Sequence, residues 1–229
     1  CVASVPAPAL RTSKQVSTMA ALGSLAAVLS ILNMTIPFPL VPFLKFDFAE
    51  IPDILAFLLL GPTAGLFTTA IHALFLYFVV PPFSPVGPIM KFAAVISMML
   101  GLWLGSILFG FMKRFSSSLG SRLFIVSVFT FGASSRVIIM SLLTFLLYYL
   151  LMPDMYLPLA RELLGRLGMQ FQSDISVALV VVLFTGVFNL LHVIMGLSSA
   201  LVVLRALTRV PQIATNGFWI YSRNRKSIS

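Results

Sequence analysis

The stretch Phe43-Leu44-Lys45-Phe46-Asp47-Phe48-Ala49-Glu50-Ile51-Pro52-Asp53 gathers four charged side chains within nine positions of a chain otherwise nearly free of charge. In an extended segment, alternation places Lys45 and Asp47 on one side and Phe46 and Phe48 on the other. Such a segment is suited either to close over a pocket or to anchor at a membrane surface, with rings in the headgroup layer and charges in water. A second pair, Asn189 and His192, stands three positions apart and so on one helical face, aimed together at one ligand or at a neighbouring helix. Two lone cations complete the set. Arg136 lies thirteen or more residues from either end of an apolar run. An ionised group in hydrocarbon costs about 2.5–3.5 kcal/mol even on a lenient scale, so Arg136 demands an internal partner or a polar cavity. Lys91 opens another apolar run, where it either snorkels to the interface or reaches a site. His72, midway along a third run, reads as a hydrogen-bonded core histidine.

Other chemistries find little support. The chain has no G-x-x-x-x-G-K-S/T phosphate loop and no H-E-x-x-H, and its two histidines sit in different apolar segments. Cys1 is the only cysteine, which excludes an internal disulfide and a cysteine-based metal site. Gly132-Ala133-Ser134-Ser135 together with His192 suggests a nucleophile and base of an intramembrane serine hydrolase. The competing reading of the same small residues is close helix packing. Ala20, Gly23, Ser24 and Ala27 form a small-residue stripe at helical spacing, a docking face for one of the chain's own helices or for a separate membrane subunit.

The elements that must position these groups are membrane helices. Of 229 residues, 59% are hydrophobic and 9% charged, and the mean hydropathy is +1.07, whereas soluble domains carry about 25% charge. A net charge of +9 would raise the question of nucleic acid, but the basic residues flank apolar runs instead of forming a continuous face. Apolar runs predict spans over 16–36, 50–60 (a short one, which crosses fully only if it starts near Leu44), 63–80, 92–112, 123–152 and 175–204. Breaks fall at Pro37 and Pro39, at Gly61-Pro62, at the cluster from Pro81 to Pro88, and at a serine-rich loop after Lys113-Arg114. The segment after Met152 has a helical pattern of its own. Six spans with both termini cytoplasmic put ten basic residues and no acid inside, and Lys45, Arg161, Arg166 and all six acids outside, as the positive-inside rule requires. The expected architecture is therefore all-α and multi-pass. It comprises a flexible segment 1–16, a membrane domain 17–208 and a basic cytoplasmic tail 209–229. The start at Cys1 instead of Met fits a processed or trimmed terminus.

FLKFDFAEIPDILAF, the GPIMKF segment at 87–92, Arg136-x-x-x-Met140 and Phe188-Asn189-x-x-His192, within a six-span plan, resemble the substrate-binding S components of energy-coupling factor (ECF) vitamin transporters, in particular the riboflavin branch. The resemblance covers about residues 17–208. It implies a cell-membrane protein that binds riboflavin from outside, without catalysis or cofactor of its own, and depends on a membrane coupling protein and two ATPase subunits. Within it, Lys45, Asp47 and Glu50 cover the pocket, Lys91 and Arg136 join the site, and Asn189 with His192 hydrogen-bonds the polar ring edge. Lys or Gln commonly stands where this chain has His192, and Asn where it has Thr144. The stripe Ala20, Gly23, Ser24 and Ala27 occupies the place of the family's A-x-x-x-A docking face. A carrier of another vitamin or flavin precursor, the serine hydrolase, and a carrier needing no ATPase remain as alternatives.

Overall fold

The computed structural model describes residues 13–79, 86–115 and 121–207, with Arg209 and Trp219. The prolines at 81, 82 and 85, the serine loop at 116–120, residues 1–12 and all but two residues of the basic tail lie outside the described residues. Helix α1 runs Ser13–Ile31, so the last four residues of the segment expected to be flexible are already helical. Its end comes five residues before the expected Ile36, at a Schellman turn. Asn33 takes φ 49°, Met34 N–H donates to the Leu29 carbonyl at 3.3 Å, and Asn33 N–H donates to that of Ser30 at 3.0 Å.

After this turn a short hairpin is inserted into the all-α plan. Strands β1 (Thr35–Phe38) and β2 (Val41–Asp47) form an antiparallel hairpin, with Thr35 opposite Asp47, Ile36 opposite Phe46 and Pro37 opposite Lys45. Prolines 37, 39 and 42 bar a helix here but are tolerated in a two-stranded ribbon, where each strand has a free edge. The Asp47 carboxylate then accepts the Ala49 N–H at 2.8 Å, an Asx turn that launches α2 (Glu50–Leu60). At 11 residues, about 16 Å, α2 reaches only about halfway across a 30 Å hydrocarbon core. Gly61, at φ 99°, turns the chain directly into α3 (Pro62–Val79), with proline at the first helical position.

Helix α4 (Val86–Phe115) takes Gly87 and Pro88 into its first turn, so the expected break ends before them. Helix α5 (Ser121–Phe145) continues through a π-helical turn, Leu146–Leu151, to the amphipathic α6 (Pro153–Arg166). Arg161 ties α6 to the start of α7 (Asp174–Leu207) by an ion pair with Asp174 and a 2.7 Å bond to the Phe171 carbonyl. Among the described residues five helices, α1, α3, α4, α5 with its π-turn, and α7, are long and apolar enough to cross a membrane; α2 with its hairpin takes the place of the sixth expected span. Large apolar side chains such as Phe67, Phe78, Ile138 and Leu183 are exposed on them, as a lipid-facing surface requires. Glycines bring α4 and α5 into backbone contact: a Cβ on Gly101 would lie 2.2 Å from the Phe131 carbonyl oxygen, and one on Gly132 would lie 2.7 Å from the Leu102 side chain.

The serine hydrolase reading ends in this interface. Ser135 donates to the Ser97 carbonyl at 2.8 Å, Ser134 is exposed on the outer side of α5, and His192 is held by other partners. The stripe on α1 also divides. Gly23 and Ala27 are buried, with Gly23 against Ile71 of α3, whereas Ala20 and Ser24 are exposed. Half of the expected partner face is therefore internal packing.

Candidate functional site

Arg136, buried on α5, is the hub of a polar cluster drawn from α2, α5 and α7. Its Nη1 and Nη2 donate to the two Glu50 carboxylate oxygens at 2.6 and 3.1 Å, and its Nε donates to Asn189 Oδ1 at 2.9 Å. Nη2 also lies 3.2 Å from His192 Nδ1. A guanidinium only donates, so Nδ1 is the acceptor and the imidazole proton sits on Nε2. That nitrogen faces the Asp47 backbone, 3.4 Å from the carbonyl oxygen and 3.3 Å from the N–H. With Nε2 protonated, it is the carbonyl that pairs, so His192 fastens the end of β2 to α7. Asn189 uses its amide to donate to the Thr185 carbonyl at 2.9 Å, which fixes the Oδ1 orientation toward Arg136.

A second polar chain adjoins the first through Asp47. Lys91, on α4, pairs with the Asp47 carboxylate, donates to Ser30 Oγ of α1 at 3.1 Å and lies 3.4 Å from His72 Nε2. His72 Nδ1 sits 2.7 Å from the carboxylate of Asp53, which is completely buried on α2. Beneath the hairpin, Phe46 packs on Phe188 and Phe38 with centroids 5.0 and 5.9 Å apart, and edge-on to His192 at 5.7 Å. The site thus sets an apolar cluster of rings beside a few oriented polar groups, the two kinds of contact that a small molecule with an aromatic body needs.

The sequence-derived residues divide accordingly. Asp47, Glu50, Lys91, Arg136, Asn189 and His192 come together. Lys45 does not: it is exposed on the hairpin while Asp47 turns inward, because β2 ends at Asp47 and the strand alternation stops there. Thr144 is buried about 12 Å farther along α5, and among the described residues no hydrogen bond ties it or Lys45 to the cluster. Lys91 does not snorkel, and His72 is the hydrogen-bonded core histidine expected, although its bonds lead to the site. Ser30 and the partners of Asp53 went unanticipated; a serine at the next-to-last position of an apolar helix carries no local signal. A separate cavity of about 270 Å³ at the α6–α7 junction, lined by Arg161, Met169 and Phe171 among others, stands apart from these groups. Among the described residues no cluster of three His, Cys, Asp or Glu side chains is placed to hold a metal.

Comparison with known proteins gives this arrangement a context. No family model matches the chain. It is 34% identical over 91 residues to the riboflavin transporter RibU of Staphylococcus aureus (strain TCH60), a match covering 40% of this chain and 47% of that protein. It is 38% identical over 84 residues to the riboflavin transporter FmnP of Bacillus subtilis (strain 168), covering 35% and 43%. The chain thus matches less than half the length of either curated relative. A solved S component of a bacterial ECF transporter superposes with a TM-score of 0.57 at 23% identity, over 87% of this chain and 98% of that one. The chain is therefore a multi-pass membrane protein, predominantly helical, that has the fold of an ECF-transporter S component and resembles two riboflavin transporters over part of its length.

Proposed function

We propose that the chain is the substrate-binding S component of an ECF transporter in the cell membrane, capturing riboflavin at the outer face for uptake driven by separate subunits. The observation that carries this reading is the S-component fold together with partial identity to two proteins named as riboflavin transporters. The chain itself performs no catalysis, and a membrane coupling protein with two ATPase subunits supplies the work. In this reading the hairpin is the cover of the site, Phe46 and Phe188 bound the slot for the ring system, and Asn189, His192, Arg136 and Glu50 address its polar edge. Entry exchanges bonds within the cluster for bonds to the ligand, so little hydrogen bonding is lost. Charge favours riboflavin over its phosphate. Both cations of the cluster, the partly buried Lys91 and the buried Arg136, already have carboxylate partners in Asp47 and Glu50, which leaves the cluster without an unpaired cation for a dianion.

Titrating riboflavin into the detergent-solubilised protein, while following Trp103 and Trp219 fluorescence and identifying any copurified molecule by mass spectrometry, is expected to give saturable quenching at one site per chain. Indifference to riboflavin and its phosphate would turn the reading to another vitamin or a flavin precursor, with His192 and Thr144 as the positions to examine. Ala20→Leu, on the exposed face of α1, is expected to leave riboflavin affinity unchanged and to lower uptake by cells carrying the coupling module at least tenfold. Undiminished uptake would remove that face from partner docking. Ala27→Leu is not the matching test, because Ala27 is packed inside the protein.

A further inference from the structure

The chain Asp53–His72–Ser30–Lys91–Asp47 links four helices to the hairpin, and each link has a defined direction. The buried Asp53 carboxylate takes the proton-bearing Nδ1 of His72 at 2.7 Å, which leaves Nε2 as an acceptor. That acceptor lies 2.8 Å from Ser30 Oγ, so the serine hydroxyl donates to it and presents its lone pairs to Lys91 Nζ at 3.1 Å. The ammonium then directs one donor at Ser30 and one at the Asp47 carboxylate, and lies 3.4 Å from His72 Nε2, whose one lone pair the serine hydroxyl takes. Asp47 is the last residue of β2, and its other oxygen caps the turn into α2. In this pattern the α1 hydroxyl joins His72 to Lys91, while the second oxygen of Asp53, Oδ1, is buried without a hydrogen-bond partner.

We propose that Ser30 and the Asp53–His72 pair are positioning residues that hold Lys91 on Asp47, keep the hairpin closed, and so tie the seating of α1 to the cover of the site. The inference extends the reading of the hairpin as the cover but does not depend on which ligand lies beneath it. By linkage the coupling runs both ways: whatever shifts α1 against α3 loosens the hairpin, and opening of the hairpin frees α1.

The test needs no ligand, so its failure is distinguishable from failure of the riboflavin reading. In the full-length chain with Cys1→Ser, Val41→Cys places a thiol at a fully buried position of the hairpin, and Leu40→Cys provides an exposed control. The rate of modification by a membrane-impermeant thiol reagent reports opening at position 41. Ser30→Thr keeps the hydroxyl and is expected to stay within about twofold of the parent. Ser30→Val has nearly the same volume as threonine without the hydroxyl, and is expected to speed labelling at position 41 about tenfold or more, as befits loss of a hydrogen bond to a charged group, with position 40 unchanged. Asp53→Asn offers an amide donor to Nδ1, reverses the tautomer and turns an N–H toward the ammonium, and should act in the same direction. Gly23→Ile, which wedges α1 from Ile71 without touching the hairpin, should do so too. Equal rates in Ser30→Thr and Ser30→Val, or no effect of Asp53→Asn, would overturn the hydrogen-bond relay, and an unchanged rate in Gly23→Ile would overturn the tie to α1.

Discussion

Arg136→Met is expected to destabilise the purified protein by about 3–5 kcal/mol, the range for removing one partner of a buried ion pair. For a chain of this size that is a fall of about 6–20 °C in the unfolding midpoint. The loss comes less from the missing attraction than from what remains. Glu50, buried on α2, would keep two carboxylate oxygens with no donor, and Asn189 and His192 would lose the guanidinium that orients them. The double variant Glu50→Leu with Arg136→Met removes both charges and is expected to recover most of the stability, since an apolar pair of similar volume is often as stable as a buried salt bridge. It should not recover the riboflavin binding proposed above, because two polar groups of the site are then gone, and with them the guanidinium that orients Asn189 and His192. Thermal unfolding in detergent and ligand titration of the three proteins check this. A single variant as stable as the parent would mean that Glu50 finds other donors, and that Arg136 is not the hub.

Gly101→Ala and Gly110→Ala, the same substitution on the same helix, are expected to move stability in opposite directions. A methyl group on Gly101 would stand 2.2 Å from the Phe131 carbonyl oxygen and 2.7 Å from Ser135 Cβ, so α4 and α5 must part. Overpacking of a close-packed interior costs about 1–3 kcal/mol, and here the obstacle is backbone, which yields less than a side chain. At Gly110 nothing lies within 4 Å of the new methyl group, and replacing a helical glycine by alanine is worth about 0.5–1 kcal/mol in the stabilising direction. Unfolding midpoints of the two variants measured side by side decide it. If both rise, the α4–α5 contact is looser than the geometry shows.

Much of the fold is legible in the sequence because its signals are local. Hydropathy and charge mark the apolar helices, and Gly61-Pro62 marks the α2–α3 turn, where a positive φ and a proline at the first helical position leave little alternative. The end of α1 falls five residues short of the end of its uncharged run, because Leu32, Met34 and Ile36 keep the pattern apolar after the helix has stopped. The stop is written in one asparagine that tolerates the left-handed conformation. Alternation makes β2 visible as an extended segment, but its pairing with residues 35–38 leaves no mark in the sequence.

Taken alone, the sequence established that this protein lives in a membrane, that its acids gather at one end of the bundle, and that Arg136 needs a partner, since hydration energies forbid a bare ion in hydrocarbon. Only the tertiary structure decided the pairings: Glu50 and Arg136 stand 86 positions apart, and Asp47 and His192 stand 145 apart. It also turned Asp47 inward and Lys45 outward, set Gly23 against α3, buried Ala27, and set Ser30 against Lys91. The reason is physical. Hydrophobicity and backbone propensity act on each residue where it stands in the chain, whereas a hydrogen bond or an ion pair exists only once packing has brought two distant groups to within about 3 Å in the right orientation.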